Sequence, residues 1–176
     1  MLEKIIGDRI ILRKLRMSDA DDIYEYCKDQ AVSRYTQHMP YPYKRKYAAQ
    51  FIKDCAKKWK QKEAYTYGIE YNGKIIGSVG ITIKPGNIAE MGYSLNKSYW
   101  RQGLTTEAAK LLLREAFKKL KLHKIYATHH PENPASGKVM KKIGMKYEGL
   151  LREHVFAKGK YLDLVQYGIL RREYKG

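Results

Sequence analysis

The segment Ser98-Tyr-Trp-Arg-Gln-Gly-Leu-Thr-Thr-Glu-Ala108 decides the fold of this chain, because it joins a strand pattern to a helix pattern through a tight turn. The half-apolar run 88–95 before it is typical of a strand, and apolar residues after it recur at helical spacing as far as Leu120. Either Thr105 or Thr106 offers a hydroxyl for the N-cap of the helix. The segment therefore predicts a strand–turn–helix unit.

The start of this helix is a candidate anion-binding site. The first backbone N–H groups of a helix lack partners within it, and the helix dipole adds positive potential there. Gly103 leaves space for a ligand to approach the backbone closely. An ordinary helix start after a turn has the same pattern, so the segment alone leaves both interpretations open.

A family resemblance favours the first interpretation. Trp100-Arg-Gln-Gly-Leu-Thr105, followed by Thr-Glu-Ala, resembles the acetyl-CoA pyrophosphate loop of the GNAT N-acetyltransferase superfamily. That loop usually has Arg or Gln, two residues, Gly, one residue, and then Gly or Ala. This chain keeps the central Gly103 but has Trp and Thr at the two outer positions. The Trp, the Thr-Glu-Ala ending and the opening run 10–20 resemble the branch that contains the ribosomal-protein N-terminal acetyltransferases, and the resemblance covers about residues 2–174.

Length and composition predict one globular domain over residues 1–176, with a net charge of +17. The charge raises the hypothesis of nucleic-acid binding, but the lysines are scattered along the whole chain, which favours a solvated surface. Cys27 and Cys55 follow no repeating pattern and predict reduced thiols in a cytoplasmic protein. The sequence has no apolar run of membrane-spanning length and no signal-peptide core.

The order of patterns along the chain predicts an α/β domain with one mixed sheet. Asn72-Gly73 and Lys158-Gly159 are typical of hairpin turns. The resemblance implies a mixed, mostly antiparallel sheet of about seven strands flanked by about four helices, with strands four and five splayed to admit the pantetheine arm of acetyl-CoA. We expect strands at 9–14, 65–71, 74–83, 88–95, 124–129, 147–156 and 161–171, and helices at about 18–28, 44–62, 106–120 and 133–144.

Acetyl-CoA is the cosubstrate that the resemblance implies. Backbone N–H groups of the loop would hold its pyrophosphate, and Arg101 would either add a charge-assisted contact or remain a solvated surface arginine. Strand-edge groups at residues 93–95 could pair with the pantetheine amides, and a backbone N–H near Leu95 could polarise the thioester carbonyl. The residues expected to bind the cosubstrate are Tyr93, Ser94, Leu95, Arg101, Gln102, Gly103, Leu104, Thr105, Thr106, Asn133 and Ser136.

Acetyl transfer to an amine also needs a proton donor for the leaving thiolate. Many members of the superfamily place a Tyr seven residues after the Asn of the later helix, where this chain has Met140. Ser136 matches the serine proposed as the donor in the ribosomal branch, and Asn133 would hydrogen-bond the pantetheine. Each of these two residues could instead only cap the helix.

Glu90 is the carboxylate expected to act as the general base, directly or through water, unless it is a structural hydrogen-bonding residue. Glu153 and His154 are weaker candidates. The pair His129-His130 lacks further spaced ligands, and adjacent strand residues point to opposite faces, so we expect no metal.

The function implied is acetyl-CoA-dependent N-acetylation of a primary amine, which we expect to be the N-terminal amine of a protein such as a ribosomal protein. One alternative is acetylation of a polyamine or an amine antibiotic, and another is a basic RNA-binding module without catalysis. The segment Thr36–Tyr43, rich in Tyr and broken by Pro, is expected to be a wall of the acceptor cleft or a stiff connector. We expect no specific DNA partner and no membrane association, and the oligomeric state, with a homodimer as one alternative, stays open.

Overall fold

The computed structural model describes residues 1–36 and 39–176, and in these ranges the chain forms an eight-stranded sheet and five α-helices. The strands are β1 (Lys4–Ile6), β2 (Ile11–Arg13), β3 (Ala64–Tyr71), β4 (Lys74–Lys84), β5 (Ile88–Leu95), β6 (Lys124–His129), β7 (Lys146–Ala157) and β8 (Lys160–Leu170). The helices are α1 (Ala20–Cys27), α2 (Gln30–Ser33), α3 (Arg45–Lys60), α4 (Leu104–Lys119) and α5 (Pro134–Lys142).

The sheet has the order β1-β2-β3-β4-β5-β6-β8-β7. Among the strands of the described ranges, only β5 and β6 pair in parallel, because α4 crosses between them, and the other neighbours are antiparallel. Asn72 and Gly73 have φ angles of 49° and 76°, and Lys158 and Gly159 have φ angles of 53° and 80°, as two-residue hairpin turns require. The predicted mixed, mostly antiparallel sheet is confirmed.

Two elements were not expected from the sequence. β1 spans three residues and α2 spans four, and neither is long enough to show a periodic pattern. The predicted N-cap at Thr105 or Thr106 is wrong, because α4 begins two to three residues earlier, with Gly103 as its N-cap at a φ of 79°. Thr105 and Thr106 lie in the first turn instead.

The core lies mainly between the sheet and α4. The apolar stripe of α4 is almost fully buried against β4 and β5, while α5 packs on β6, β7 and β8. The opposite face is covered by α1 and α3, where buried Tyr26 lies close to Ser78 and Ser94. No helix in the described ranges has a stretch long and apolar enough to cross a membrane.

A partly buried ionic network fixes the start of α1 to the sheet. The guanidinium of Arg13 on β2 donates two hydrogen bonds of 2.8 and 2.9 Å to the carboxylate of Asp19 and is also bonded to Glu70 on β3. Burial alone would raise the pKa of Asp19, but the bonds from Arg13 and from the backbone N–H of Arg16 outweigh it, and the pKa lies below its ordinary value of 3.8.

We expect Asp19→Asn to lower the free energy of unfolding by about 2–3 kcal/mol at pH 7, because hydrogen bonds to charged groups are worth roughly 1.5–3 kcal/mol and Glu70 still partners Arg13. A carboxylate whose pKa is lower in the folded than in the unfolded protein stabilises the fold at pH values above the unfolded pKa. This stabilisation is lost as the pH falls through the folded pKa. Urea unfolding from pH 7 to pH 3 should therefore show the two proteins converging below about pH 4. The control is Asp21→Asn, an exposed acid on the same helix. A constant difference down to pH 3 would contradict the role of the Asp19 charge.

Candidate functional site

The gap between β5 and β6 is the main feature of the candidate site. The two strands pair only from Ile88 with Lys124 to Glu90 with Tyr126, although β5 continues to Leu95. Beyond this point β6 keeps its pairing with β8, and β5 keeps its pairing with β4. The predicted splay of these two strands is confirmed, and it leaves part of the β5 edge without a strand neighbour.

Backbone groups of Tyr93 and Leu95 face this open edge. The N–H of Asn96, just after β5, donates to the carbonyl of Ile76 on β4, and since alternate residues point to opposite edges, the backbone groups of Ser94 also face β4. The expected pairing of Ser94 with a ligand at the open edge is therefore corrected, because its backbone belongs to the β4–β5 ladder. Its hydroxyl lies 3.1 Å from that of Ser78. At the open edge, the carbonyl of Leu95 already accepts a 2.8 Å hydrogen bond from the Trp100 indole.

The predicted anion site lies at the start of α4, in the connection that follows β5. Arg101 and Gly103 have φ angles of 63° and 79°, so the turn uses two left-handed residues before the helix begins. Within the described residues no side chain caps this helix, and the N–H groups of its first turn are left for an external partner. Arg101, Gln102 and Gly103 are exposed, Thr105 and Thr106 are half-buried, and Leu104 is buried and anchors the turn to the core.

Two hydroxyl groups meet across the gap. The hydroxyl of Tyr93 on β5 lies 2.9 Å from Oγ of Ser136 and 3.0 Å from the Ser136 carbonyl oxygen, in the first turn of α5. The sequence predicted Ser136 at the site but assigned Tyr93 only through its backbone. The side-chain contact joins residues 43 positions apart, so local pattern could not reveal it.

The Tyr93–Ser136 pair has two hydrogen-bond arrangements. Tyr93 has one proton, and a carbonyl oxygen can only accept. If Tyr93 donates to the Ser136 carbonyl, the Ser136 hydroxyl donates to Tyr93; if Tyr93 donates to Ser136 Oγ, the serine proton is free to point into the gap. Burial raises the pKa of Tyr93 to about 12, so the phenol stays protonated near neutral pH and remains a donor.

The other predicted residues of α5 are placed at its start and in the core. Asn133 is the N-cap residue by backbone position, but in the described structure its side chain makes no capping hydrogen bond, so the amide group remains available to a ligand. Met140, at the position where many relatives have Tyr, is only 1% exposed and packs in the core. It cannot serve as a proton donor.

Close contact between α5 and β6 sets the position of Ser136. A Cβ on Gly137 would lie 2.7 Å from Nε2 of His129, so only glycine lets the helix approach this ring. The His129 ring stacks on Tyr167, and its Nδ1 donates to the carbonyl of His130 at 2.8 Å. Within the described ranges, no group of three or more His, Cys, Asp or Glu side chains could hold a metal ion.

The predicted general base, Glu90, lies on the face of β5 opposite Tyr93. Its carboxylate forms a 2.9 Å ion pair with Lys84 and lies 3.5 Å from the hydroxyl of Tyr126. The hydrogen bond to Glu90 raises the pKa of Lys84, so the ammonium group of the pair stays charged. Glu153 and His154, the weaker candidates, are exposed in an irregular part of β7.

The expected acceptor-side segment Thr36–Tyr43 includes Gln37 and His38, which lie outside the described residues. Just before it, Nζ of Lys158 in the β7–β8 turn donates to the carbonyls of Ser33 and Arg34, the second at 3.2 Å. Arg34 also forms a 3.3 Å ion pair with Glu132 in the β6–α5 connection. Three connections therefore meet on this side of the sheet.

Comparison with known proteins agrees with this geometry. The acetyltransferase (GNAT) domain family matches residues 9–146. The uncharacterized N-acetyltransferase p20 of Bacillus licheniformis is 30% identical, over 99% of this chain and 100% of its own. The putative ribosomal N-acetyltransferase YdaF of Bacillus subtilis is 31% identical over 67% of this chain and 68% of its own, and the spermidine N(1)-acetyltransferase of Escherichia coli K12 is 31% identical over 49% and 46%.

Solved structures share the whole fold. A GNAT-family acetyltransferase from Bacillus anthracis superposes with a TM-score of 0.86 at 28% identity and covers 97% of this chain and 99% of its own. The ribosomal L7/L12 alpha-N-protein acetyltransferase RimL, in complex with coenzyme A, gives a TM-score of 0.85 at 16% identity over 94% and 96%. The matched family, the parted strands and the uncapped helix start lead to one conclusion: the chain belongs to the GNAT family and is an N-acetyltransferase.

Proposed function

We propose that the protein transfers the acetyl group of acetyl-CoA to the N-terminal amine of a protein, with a ribosomal protein as the expected acceptor. The observation that carries the cosubstrate assignment is the parting of β5 from β6 beside the uncapped start of α4. A long ligand with a diphosphate at one end and a thioester at the other fits this pair of features, because one offers N–H groups to an anion and the other offers a strand edge.

The backbone of residues 102–106 would hold the diphosphate, and the open β5 edge would bind the pantetheine arm. The N–H groups of Tyr93 and Leu95 face this edge, and one of them would donate to the oxyanion that develops in acyl transfer. The side-chain amide of Asn133 would contribute a further hydrogen bond. The cosubstrate supplies the activated acetyl group, and the chain supplies orientation and protons.

Ser136 and Tyr93 would together protonate the leaving thiolate. In the arrangement in which Tyr93 donates to Ser136 Oγ, the serine proton can move to the sulfur while the phenol proton stabilises the serine oxygen. Because Met140 is in the core, this pair replaces the helix tyrosine of other family members. Glu90 would accept the amine proton only through water or after release from Lys84, since an ion-paired carboxylate is a weaker base.

The choice of acceptor rests on similarity and charge. YdaF, which is named as a putative ribosomal acetyltransferase, matches two thirds of this chain, whereas the spermidine enzyme matches about half. A net charge of +17 attracts the phosphate-rich ribosome and repels a polycation such as spermidine. The chain is an N-acetyltransferase, which argues against a basic RNA-binding module without catalysis.

The acceptor class is tested by release of free CoA from acetyl-CoA with a panel of amines. We expect peptides that carry the N-terminal sequences of ribosomal proteins to be acetylated with a kcat/KM at least about tenfold above that for spermidine and aminoglycosides, a difference of about 1.4 kcal/mol in transition-state binding. Mass spectrometry should place the acetyl group on the α-amine. Preferred turnover of spermidine would contradict the protein acceptor, and absence of release with every amine would contradict acetyl-CoA as the donor.

The proton-donor pair is tested by Ser136→Ala, Tyr93→Phe and the double variant. We expect each single variant to lower kcat on the order of 10²-fold, the range typical of general acid catalysis, with little change in CoA affinity. Because the two hydroxyls act through one hydrogen bond, the double variant should be hardly slower than either single variant. The matched control is Tyr161→Phe, an exposed tyrosine on β8. Multiplicative losses would show that the two groups act independently and would contradict a shared proton path.

A further inference from the structure

Arg9, in the connection between β1 and β2, donates three hydrogen bonds to groups at the start of α4, near the proposed diphosphate site. Its backbone N–H donates to Oε1 of Glu107 at 2.9 Å, and its Nε donates to Oε2 of the same carboxylate at 2.8 Å. Its Nη1 donates to the carbonyl oxygen of Gln102 at 2.9 Å. Arg9 thus contacts Gln102, just before α4 begins, and Glu107, in the first turn of α4.

Gly7 allows the connection between β1 and β2 to lie close to α4. A Cβ on Gly7 would lie 2.6 Å from Cδ1 of Leu111 and 2.9 Å from Oε1 of Glu107, so a larger residue at this position would displace the side chains that meet it on the helix. The Glu107 side chain is only 14% exposed, and it receives both the backbone and the side chain of Arg9. The carboxylate is therefore held at two points, while the Arg9 side chain itself is 48% exposed.

The bond to Gln102 orients the peptide group at the N-cap. The C=O and N–H of a trans peptide point in opposite directions. Fixing the Gln102 carbonyl on Arg9 therefore directs the N–H of Gly103 away from the guanidinium, toward the exposed side of the turn. Gly103 itself has a left-handed φ of 79°, and the helix begins at the next residue.

Arg9 also changes the local charge. Glu107 in the first turn stabilises α4, but its carboxylate would repel a diphosphate bound at the same helix start. Pairing with Arg9 neutralises this carboxylate. Within the described residues, Nη2 of Arg9 makes no hydrogen bond, and it lies 3.6 Å from the place that a Cβ on Gly103 would take, so an unused donor faces the turn.

We propose that Arg9 is a positioning residue for the cosubstrate's diphosphate: it sets the Gln102–Gly103 peptide and neutralises Glu107. This inference rests on the proposed use of acetyl-CoA. Arg9 lies 94 positions before Gly103, whereas the other residues proposed for the diphosphate site lie in one loop. A motif around that loop could therefore not reveal Arg9.

The test compares acetyl-CoA with S-acetylpantetheine, which carries the thioester but no diphosphate. We expect Arg9→Ala to raise the KM for acetyl-CoA and the Kd for CoA about 10- to 100-fold, as loss of charge-assisted bonds implies, and to leave the kcat at saturation within about twofold. The KM for S-acetylpantetheine should not change. Equal losses for both donors would indicate a general structural effect and would overturn the inference.

Two further variants separate the parts of the proposal. Arg9→Ala combined with Glu107→Ala should bind CoA more tightly than Arg9→Ala alone, because the unpaired carboxylate is gone; equal or weaker binding would contradict the neutralising role. Arg9→Lys, which keeps the charge but loses the fork of donors, should fall between the wild type and Arg9→Ala. If Arg9→Ala does not fold, Arg9→Lys and Arg9→Gln carry the same comparison of the two donors.

Lys4→Ala is the control, since it removes an exposed charge from β1 in the same hairpin and should leave CoA binding unchanged. Calorimetry of the wild type with CoA separates the two levels of the proposal. A wild type that does not bind CoA would overturn the proposed function. If the wild type binds CoA and Arg9→Ala binds it equally tightly, only the role of Arg9 is overturned.

Discussion

The loss of pairing between β5 and β6 beyond Glu90 and Tyr126 is the constraint on which the rest of the site depends. A strand edge in the middle of a sheet exposes backbone donors and acceptors that need partners, and leaving them buried and unpaired would be costly. One of these groups has a partner within the protein, since the indole N–H of Trp100 donates to the carbonyl of Leu95. The backbone of Tyr93 is left facing the gap, so the same divergence that weakens the sheet creates a place for an extended ligand.

Packing around the gap converts this opening into a chemically defined site. The glycine at 137 lets α5 approach the ring of His129, and this approach brings Ser136 to the hydroxyl of Tyr93. On the other side of the gap, the left-handed turn at Gly103 begins α4 without a side-chain cap. The Arg9–Glu107 pair holds that turn from a distant part of the chain. The groups proposed to bind the anion and to donate the proton therefore lie on separate elements that the core fixes relative to one another.

Seven of the eight strands, the hairpin turns and the strand–turn–helix unit were predictable, because their apolar periodicity and Asn-Gly or Lys-Gly turns are local signals. β1 was not, because three residues show no period and its place depends on distant contacts, such as the Leu2 N–H with Glu115 and the Leu2 carbonyl with Tyr67. For the site, the family resemblance supplied the loop and Ser136. The Tyr93 hydroxyl, the Lys84–Glu90 pair and Arg9 depend on how elements pack in three dimensions, which sequence spacing does not encode.

The proposed site requires CoA to lie with its diphosphate at the start of α4 and its sulfur between β5 and β6. A crystal structure of the protein with CoA tests this requirement most directly. We expect the diphosphate oxygens against the N–H groups of residues 102–106 and the pantetheine arm along the open edge of β5. The sulfur should lie within hydrogen-bond reach of Ser136 Oγ. CoA bound elsewhere on the protein, or a sulfur atom that lies away from both Ser136 and Tyr93, would contradict the parted strands as the acetyl-transfer site.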